Sequence, residues 1–143
     1  MKDIMETIKA DSSLSSLAAV LEKANFVERL KGAGPYTLFA PNNDAFTRMD
    51  IEKTVLDPKV LSDTLTYHLV AGKYSAKELH EMIPGRLGTE NGKSLTLELD
   101  EGDAVVDNGK FVTTDIECSN GVVHIVDNVF QPHLSGWYRE DLL

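Results

Sequence analysis

Tyr36-Thr37-Leu38-Phe39-Ala40-Pro41-Asn42-Asn43-Asp44-Ala45-Phe46 and Asn120-Gly121-Val122-Val123-His124-Ile125-Val126-Asp127-Asn128-Val129-Phe130 are the stretches that decide how this chain folds. Each is an apolar run that meets a polar turn. Gly34-Pro35 punctuates the chain, so Tyr36 to Ala40 reads as a buried strand. Asn42 or Asn43 then caps a short helix carrying Ala45, Phe46 and Met49. In the second stretch Val122, His124 and Val126 share one strand face, and Val123 and Ile125 share the other. Both faces are apolar apart from His124, which predicts a central strand.

Working outward, the first half reads as helical. Ile4, Met5 and Ile8 indicate a short leading helix. Leu14, Leu17, Leu21 and Ala24 recur at helical spacing, continued by Val27 and Leu30. Asp11 to Ser13 supply cap candidates, and Gly32 is placed to end the helix. Asp57-Pro58 predicts a helix start, with the helix running to about His68. Ser75-Ala76-Lys77-Glu78 has the reciprocal capping pattern and opens a short helix that Pro84-Gly85 stops. Beyond Pro84 the pattern changes to strands. Asn91-Gly92 marks a reversal, and Leu95-Thr96-Leu97-Glu98-Leu99 alternates with its leucines on one face. Asp100 to Asp103 reads as a turn before Ala104-Val105-Val106. Asn108-Gly109 is a hairpin turn, followed by a strand from Lys110 to Thr114 and a connection from Asp115 to Ser119. Early helices and late antiparallel strands place the chain in the α+β class.

At 143 residues the chain fits one domain. Residues 1–133 are read as that domain and 134–143, with the one tryptophan Trp137, as a C-terminal tail. The net charge of -9 with scattered Lys and Arg argues against a nucleic-acid partner and against docking on anionic lipid. Cys118 is the sole cysteine, so no internal disulfide can form. Met1-Lys2-Asp3-Ile4-Met5-Glu6 lacks the apolar run of a signal peptide. No stretch approaches the roughly 18 apolar residues of a membrane-spanning helix. The residues leave compartment and oligomeric state open.

Catalytic patterns are weak. His80-Glu81-Met82-Ile83 begins like a zinc-protease helix, but Pro84 stands where the second histidine belongs. Gly32-Ala33-Gly34 follows a helix and precedes a strand, the wrong order for a phosphate-cradling loop. There is no Gly-x-Ser-x-Gly turn. Asp100, Glu101, Asp103 and Asp107 lack calcium-loop spacing and read as a solvated edge. No enzyme, metal site or cofactor is therefore expected. His68 lies on the apolar face with Leu61 and Leu65, while Tyr67 joins Val60 and Thr64. His68 and His124 read as core residues, with Asn42, Asn43 and Asp44 as their expected hydrogen-bond partners.

Thr37 to Pro41 with Asn43, Ala45 and Phe46, then Leu65-Thr66-Tyr67-His68, then Asn120 to Asp127, resemble the successive signature segments of the fasciclin domain family. The resemblance runs from the leading helices to about Pro132. It implies one α+β domain, a twisted β-wedge or sandwich with the N-terminal helices packed along it. Phe39, Pro41, Asn43, Phe46, His124 and Asp127 are its structural signature positions. It implies a non-enzymatic adhesion or interaction module, with protein or polysaccharide at a cell surface or matrix as partner and an extracytoplasmic or secreted setting. Tyr67, His68, Asp115 and Ile116 correspond to positions linked to adhesion in animal relatives. With a single domain and no cysteine framework, the chain looks more like stand-alone microbial members. The alternative is a carrier of a small lipid or carbohydrate, using a cleft near His68 or His124.

Overall fold

In the computed structural model, which describes residues 2–49, 58–107 and 109–130, helix α1 (Ile4–Ala10) starts at a reciprocal cap. Asp3 accepts the Glu6 amide, and the Glu6 carboxylate accepts the Asp3 amide, so two donors left open by the helix start are paired. Asp11 caps a 3-10 turn, Ser12–Leu14, which leads into α2 (Ser15–Lys23) and then α3 (Val27–Leu30). The expected continuous helix from Leu14 to Leu30 is broken between α2 and α3. Asn25 takes a φ of 58°, a conformation asparagine tolerates better than most residues, and the Phe26 amide turns back to the Leu21 carbonyl. The break brings Phe26 and Leu30 into the same core as Leu17 and Leu21.

Next come β1 (Tyr36–Pro41), α4 (Asn43–Met49), α5 (Pro58–Thr66), β2 (Leu69–Ala71) and α6 (Ala76–Glu81). The remaining elements are strands: β3 (Gly85–Gly88), β4 (Ser94–Asp100), β5 (Asp103–Val106), β6 (Gly109–Cys118) and β7 (Gly121–Val126). The strands form a seven-stranded sheet in the order β2-β1-β7-β6-β5-β4-β3. The sheet is mixed: β1 runs parallel to β7, from Tyr36 opposite Gly121 to Pro41 opposite Val126, and the other pairs are antiparallel. The Glu90 amide, just beyond β3, donates to the Leu69 carbonyl of β2. That bond draws the loop after β3 against the strand at the opposite end of the order.

Every residue of β7 is buried, as expected of a strand with neighbours on both edges and apolar groups on both faces. One apolar cluster joins Ile4, Leu17, Leu38, Phe46 and Val123 beneath the helices. The other joins Phe39, Tyr67, Leu97, Val106 and Phe130.

Several expectations need correction. Asp115 to Cys118 belong to β6 rather than to a connection. Register shifts between Phe111 and Thr113 and between Thr113 and Ile116, with Asp115 at φ 58°, let the strand stay paired while absorbing extra residues. Helix α5 ends at Thr66, before Tyr67 and His68. Leu99 is 52% exposed although it continues the face of buried Leu95 and Leu97, because β4 outruns the core beneath it. The Asp57 cap, Asn108 of the hairpin turn, the side chains of Met49 and Val60, the division at residue 133 and the 134–143 segment with Trp137 lie outside the described residues.

The turn into β7 is the most constrained point. Gly121 has φ 156°, and a Cβ there would fall on the Tyr36 carbonyl. Buried Asn120 accepts the Ile4 amide at 3.0 Å and donates to the Leu30 and Gly32 carbonyls at 2.7 and 2.8 Å. One side chain thus ties α1 and the end of α3 to the start of β7. Asn120→Ala leaves three backbone groups without this partner, at about 1–3 kcal/mol for a buried group left unsatisfied. The expected loss in urea denaturation is about 3 kcal/mol or more, and Gly121→Ala costs a similar amount. Lys77→Ala, on an exposed helix position, stays within about 0.5 kcal/mol of wild type.

Candidate functional site

Tyr67 and His68 follow α5 as it ends and both are buried, at 0% and 3% exposure. The Tyr67 hydroxyl donates to Asp107 Oδ2 at 2.8 Å and lies 3.3 Å from the Ser94 carbonyl. Asp107 Oδ1 in turn accepts the Thr96 amide at 2.9 Å. Asp107 is therefore a built-in structural acceptor, unlike the solvated carboxylate its sequence context predicted.

His68 Nδ1 lies 2.7 Å from the Thr64 carbonyl, and the Phe130 amide donates to Nε2 at 2.9 Å. A carbonyl only accepts, so Nδ1 carries the proton and Nε2 is the acceptor. The imidazole also stacks on the Phe130 ring, with centroids 4.7 Å apart and planes 3° from parallel. Burial pushes its pKa down from 6.5 to about 4, partly offset by the Thr64 bond.

His124, on β7, is held by the same logic. The Asp115 amide donates to Nδ1 at 3.1 Å, and Nε2 donates to the Tyr74 carbonyl at 2.8 Å. Burial lowers this pKa as well, against raising contributions from the Tyr74 bond, Asp115 and Glu117. Phe39 lies beside both His124 and Phe130, and Phe111 meets His124 edge-on. The expected partners Asn42, Asn43 and Asp44 serve neither ring. Asn42 caps α4 through the Ala45 amide. Asn43 accepts the Ser16 amide and donates to Ser12 and Ser15, pinning α4 to α2. These short side chains reach backbone donors close at hand before they reach the far side of the sheet.

In the sequence Thr37 reads only as part of a strand and signature segment, and Tyr74 is not read at all. The Thr37 hydroxyl donates to the Gly72 carbonyl at 2.8 Å and accepts the Tyr74 amide at 2.9 Å. This fixes the loop after β2 so that the Tyr74 carbonyl meets His124. A buried threonine in an otherwise apolar strand was the available signal. At the far end, Asp127 accepts the Lys110 amide at 2.8 Å, and its own amide donates to the Lys110 carbonyl, closing the β6–β7 ladder.

Asp115 is exposed while Ile116 is half-buried against the helix-side core. The Asp115 carboxylate accepts the Ala76 amide at 2.9 Å, beside the Ser75–Glu78 capping box that opens α6. One residue thus bends β6, supports His124 and steadies a helix start. Val112, on the same strand, is 56% exposed. The Lys73–Glu117 pair at 2.8 Å lies nearby.

Pro41, Phe46 and His68 border a narrow apolar cleft completed by Leu17, Leu65 and Val129, with a volume of about 10 Å³, room for about one water. Cys118 is buried, its Sγ 3.3 Å from the Thr7 hydroxyl, and burial raises its pKa. Among the described residues no three His, Cys, Asp or Glu side chains form a group able to hold a metal ion. No helix among them is long and apolar enough to cross a membrane.

Comparison with known proteins adds a family. The model of the fasciclin domain matches residues 12–132. A Synechocystis protein, sll1483, is 34% identical over 134 residues, covering 90% of this chain and 73% of the relative. The cell surface glycolipoprotein MPB83 of Mycobacterium bovis is 35% identical over 127 residues, covering 83% of this chain and 56% of that protein. Among solved structures, the fasciclin domain pair of the insect cell adhesion molecule fasciclin I superposes with a TM-score of 0.76 at 18% identity. It covers 92% of this chain and 51% of that one.

Two outcomes follow from this geometry. Asp115→Asn keeps both the tolerance for positive φ and an oxygen for the Ala76 amide, so its urea midpoint stays near wild type. Asp115→Ala loses both and costs about 1–2 kcal/mol. The second concerns acid. The folded pKa of His68 lies below its unfolded value, so as pH falls below 6.5 the unfolded chain takes up the proton first. Stability conferred by the neutral ring is then present above pH 6.5 and lost toward about pH 4, with His124 acting in the same direction. Between pH 7 and 5 the His68 contribution is about 2 kcal/mol. Urea midpoints measured across that range should fall more steeply for wild type than for His68→Gln.

Proposed function

The chain belongs to the fasciclin domain family, and from that premise we infer that it is a non-enzymatic adhesion or interaction module. Its partner is a protein or polysaccharide at a cell surface or matrix. What carries the reading is the internal occupation of the ionisable signature groups. Both nitrogens of His68 and of His124 are engaged by the fold, and the Tyr67 hydroxyl is held by Asp107. In the folded state near neutral pH these groups are committed to the fold's own hydrogen bonds, which leaves contact-making to the surface. The likeness to a mycobacterial cell-surface glycolipoprotein supports the same class, and with it an extracytoplasmic setting for this chain.

The contact surface we favour is the outward side of bulged β6, with Val112, Thr113 and Asp115 exposed. An apolar side chain beside a fixed carboxylate offers both contact area and a charge. Tyr67 and His68 contribute by holding the fold rather than by touching a partner. A second reading, carriage of a small lipid or carbohydrate, starts from the narrow apolar cleft that reaches His68 and requires that cleft to widen around its cargo. His124 offers no comparable opening, since Tyr74, Asp115, Phe39 and Phe111 surround its ring.

Beads coated with the domain, settled on immobilised matrix proteins and polysaccharides, test the first reading. Wild type should attach well above an unrelated acidic control domain. Asp115→Asn and Val112→Lys should each reduce attachment at least threefold with unchanged urea midpoints. Equal attachment by wild type, both variants and the control overturns it. That result together with stoichiometric uptake of a fluorescent fatty acid, blocked by Leu65→Trp, favours the second reading.

A further inference from the structure

The segment leaving β7 is held unusually tightly for the end of a sheet. Val129 is 1% exposed and Phe130 is fully buried. The Phe130 ring seats over Gly109, where a Cβ would stand 2.9 Å from it, and stacks on His68. Its amide donates to His68 Nε2, a bond that exists only while that nitrogen has a free lone pair. The other ring nitrogen already directs its proton at the Thr64 carbonyl. A second proton on the ring must therefore face the Phe130 N–H, turning a hydrogen bond into a clash of two donors.

Among the described residues nothing near the ring would compensate the charge. The cleft beside it is lined by apolar side chains of α2, α4 and α5, by Pro41 of β1, and by Val129. The described charged residues on these elements face elsewhere. Glu22, Lys23, Asp44 and Asp63 are exposed. Asp107 serves Tyr67, and Asp127 holds the Lys110 amide. An imidazolium without a counter-ion in an apolar setting is strongly disfavoured.

We propose that His68 is a proton-operated latch on the Val129–Phe130 segment, which in acid lifts away and widens the apolar cleft whose wall Val129 forms in part. Release is local: the β1–β7 pairing does not depend on this bond. The latch works whether the protein's task is surface attachment or ligand carriage, since it concerns only access to the cleft.

Amide hydrogen exchange of the full chain, followed by NMR from pH 7.5 to 4, tests the latch. In the closed state the ring should show the Nδ1-protonated neutral tautomer. The Phe130 protection factor should then fall about tenfold per pH unit between 6.5 and about 4, while the amides of Val123 and Ile125 stay protected. In His68→Gln, which cannot titrate, Phe130 protection should be independent of pH. Should that variant fail to fold, the ¹⁵N titration of His68 in wild type serves instead, and must run in step with loss of Phe130 protection. Ring protonation with Phe130 protection unchanged overturns the proposal. So does simultaneous loss of protection at Phe130, Val123 and Ile125, which would mean global unfolding.

Discussion

The parallel pairing of β1 with β7 is the constraint on which the rest of this structure depends. Parallel neighbours cannot be joined by a tight turn, so all the intervening helices and strands must be accommodated between them. The register, Tyr36 opposite Gly121 through Pro41 opposite Val126, puts β7 in the middle of the sheet and sets both of its faces against apolar layers. The close approach at its start permits only glycine at position 121. Asn120, one residue earlier, then answers backbone groups from three different parts of the chain, among them the Tyr36 amide bound by its own carbonyl. A long-range pairing of this kind closes a large loop at an entropic cost, and the buried polar ties at its entry offset part of it.

Burying histidines beside such a strand is tolerable only when both ring nitrogens are served. His68 and His124 solve the problem alike: one nitrogen donates to a backbone carbonyl and the other accepts a backbone amide. Each ring therefore joins segments far apart in sequence: α5 to the end of the sheet through His68, and β7 to the loop at Tyr74 and the bulge at Asp115 through His124. An apolar residue of the same size would fill the space but leave the Phe130 or Asp115 amide without an acceptor. The same economy applies at Asp115, whose positive φ, amide and carboxylate each serve a different neighbour. Residues that look like recognition groups are in this fold mainly joints between elements. What the joints leave outside, principally the bulged strand, is the surface on which the proposed function draws.

Local patterns were legible wherever the cause of structure is local. The Ser75–Glu78 capping box, the Asn42 cap, the Tyr36–Pro41 strand and the all-buried last strand follow from side chains acting on their own backbone or from strict alternation. The break at Asn25 was not legible, because Leu21, Ala24, Val27 and Leu30 recur every three residues across it and only the shape of the core decides that the chain must turn. The continuation of β6 through Asp115 was hidden for a related reason. A bulge interrupts alternation, so a paired strand looks like a connection until its neighbour is known.

For the candidate site, the sequence determined which residues lie inside. The spacing of His68 against Leu61 and Leu65 and of Tyr67 against Val60 and Thr64, and the place of His124 among valines, are enough to bury them, because burial follows from periodicity. Only the tertiary structure decided what those groups do there. The partners of His68, His124, Tyr67 and Asp115 lie on other elements, and hydrogen bonding is directional and short-ranged, so a partner is defined by position in space and leaves no trace in spacing along the chain.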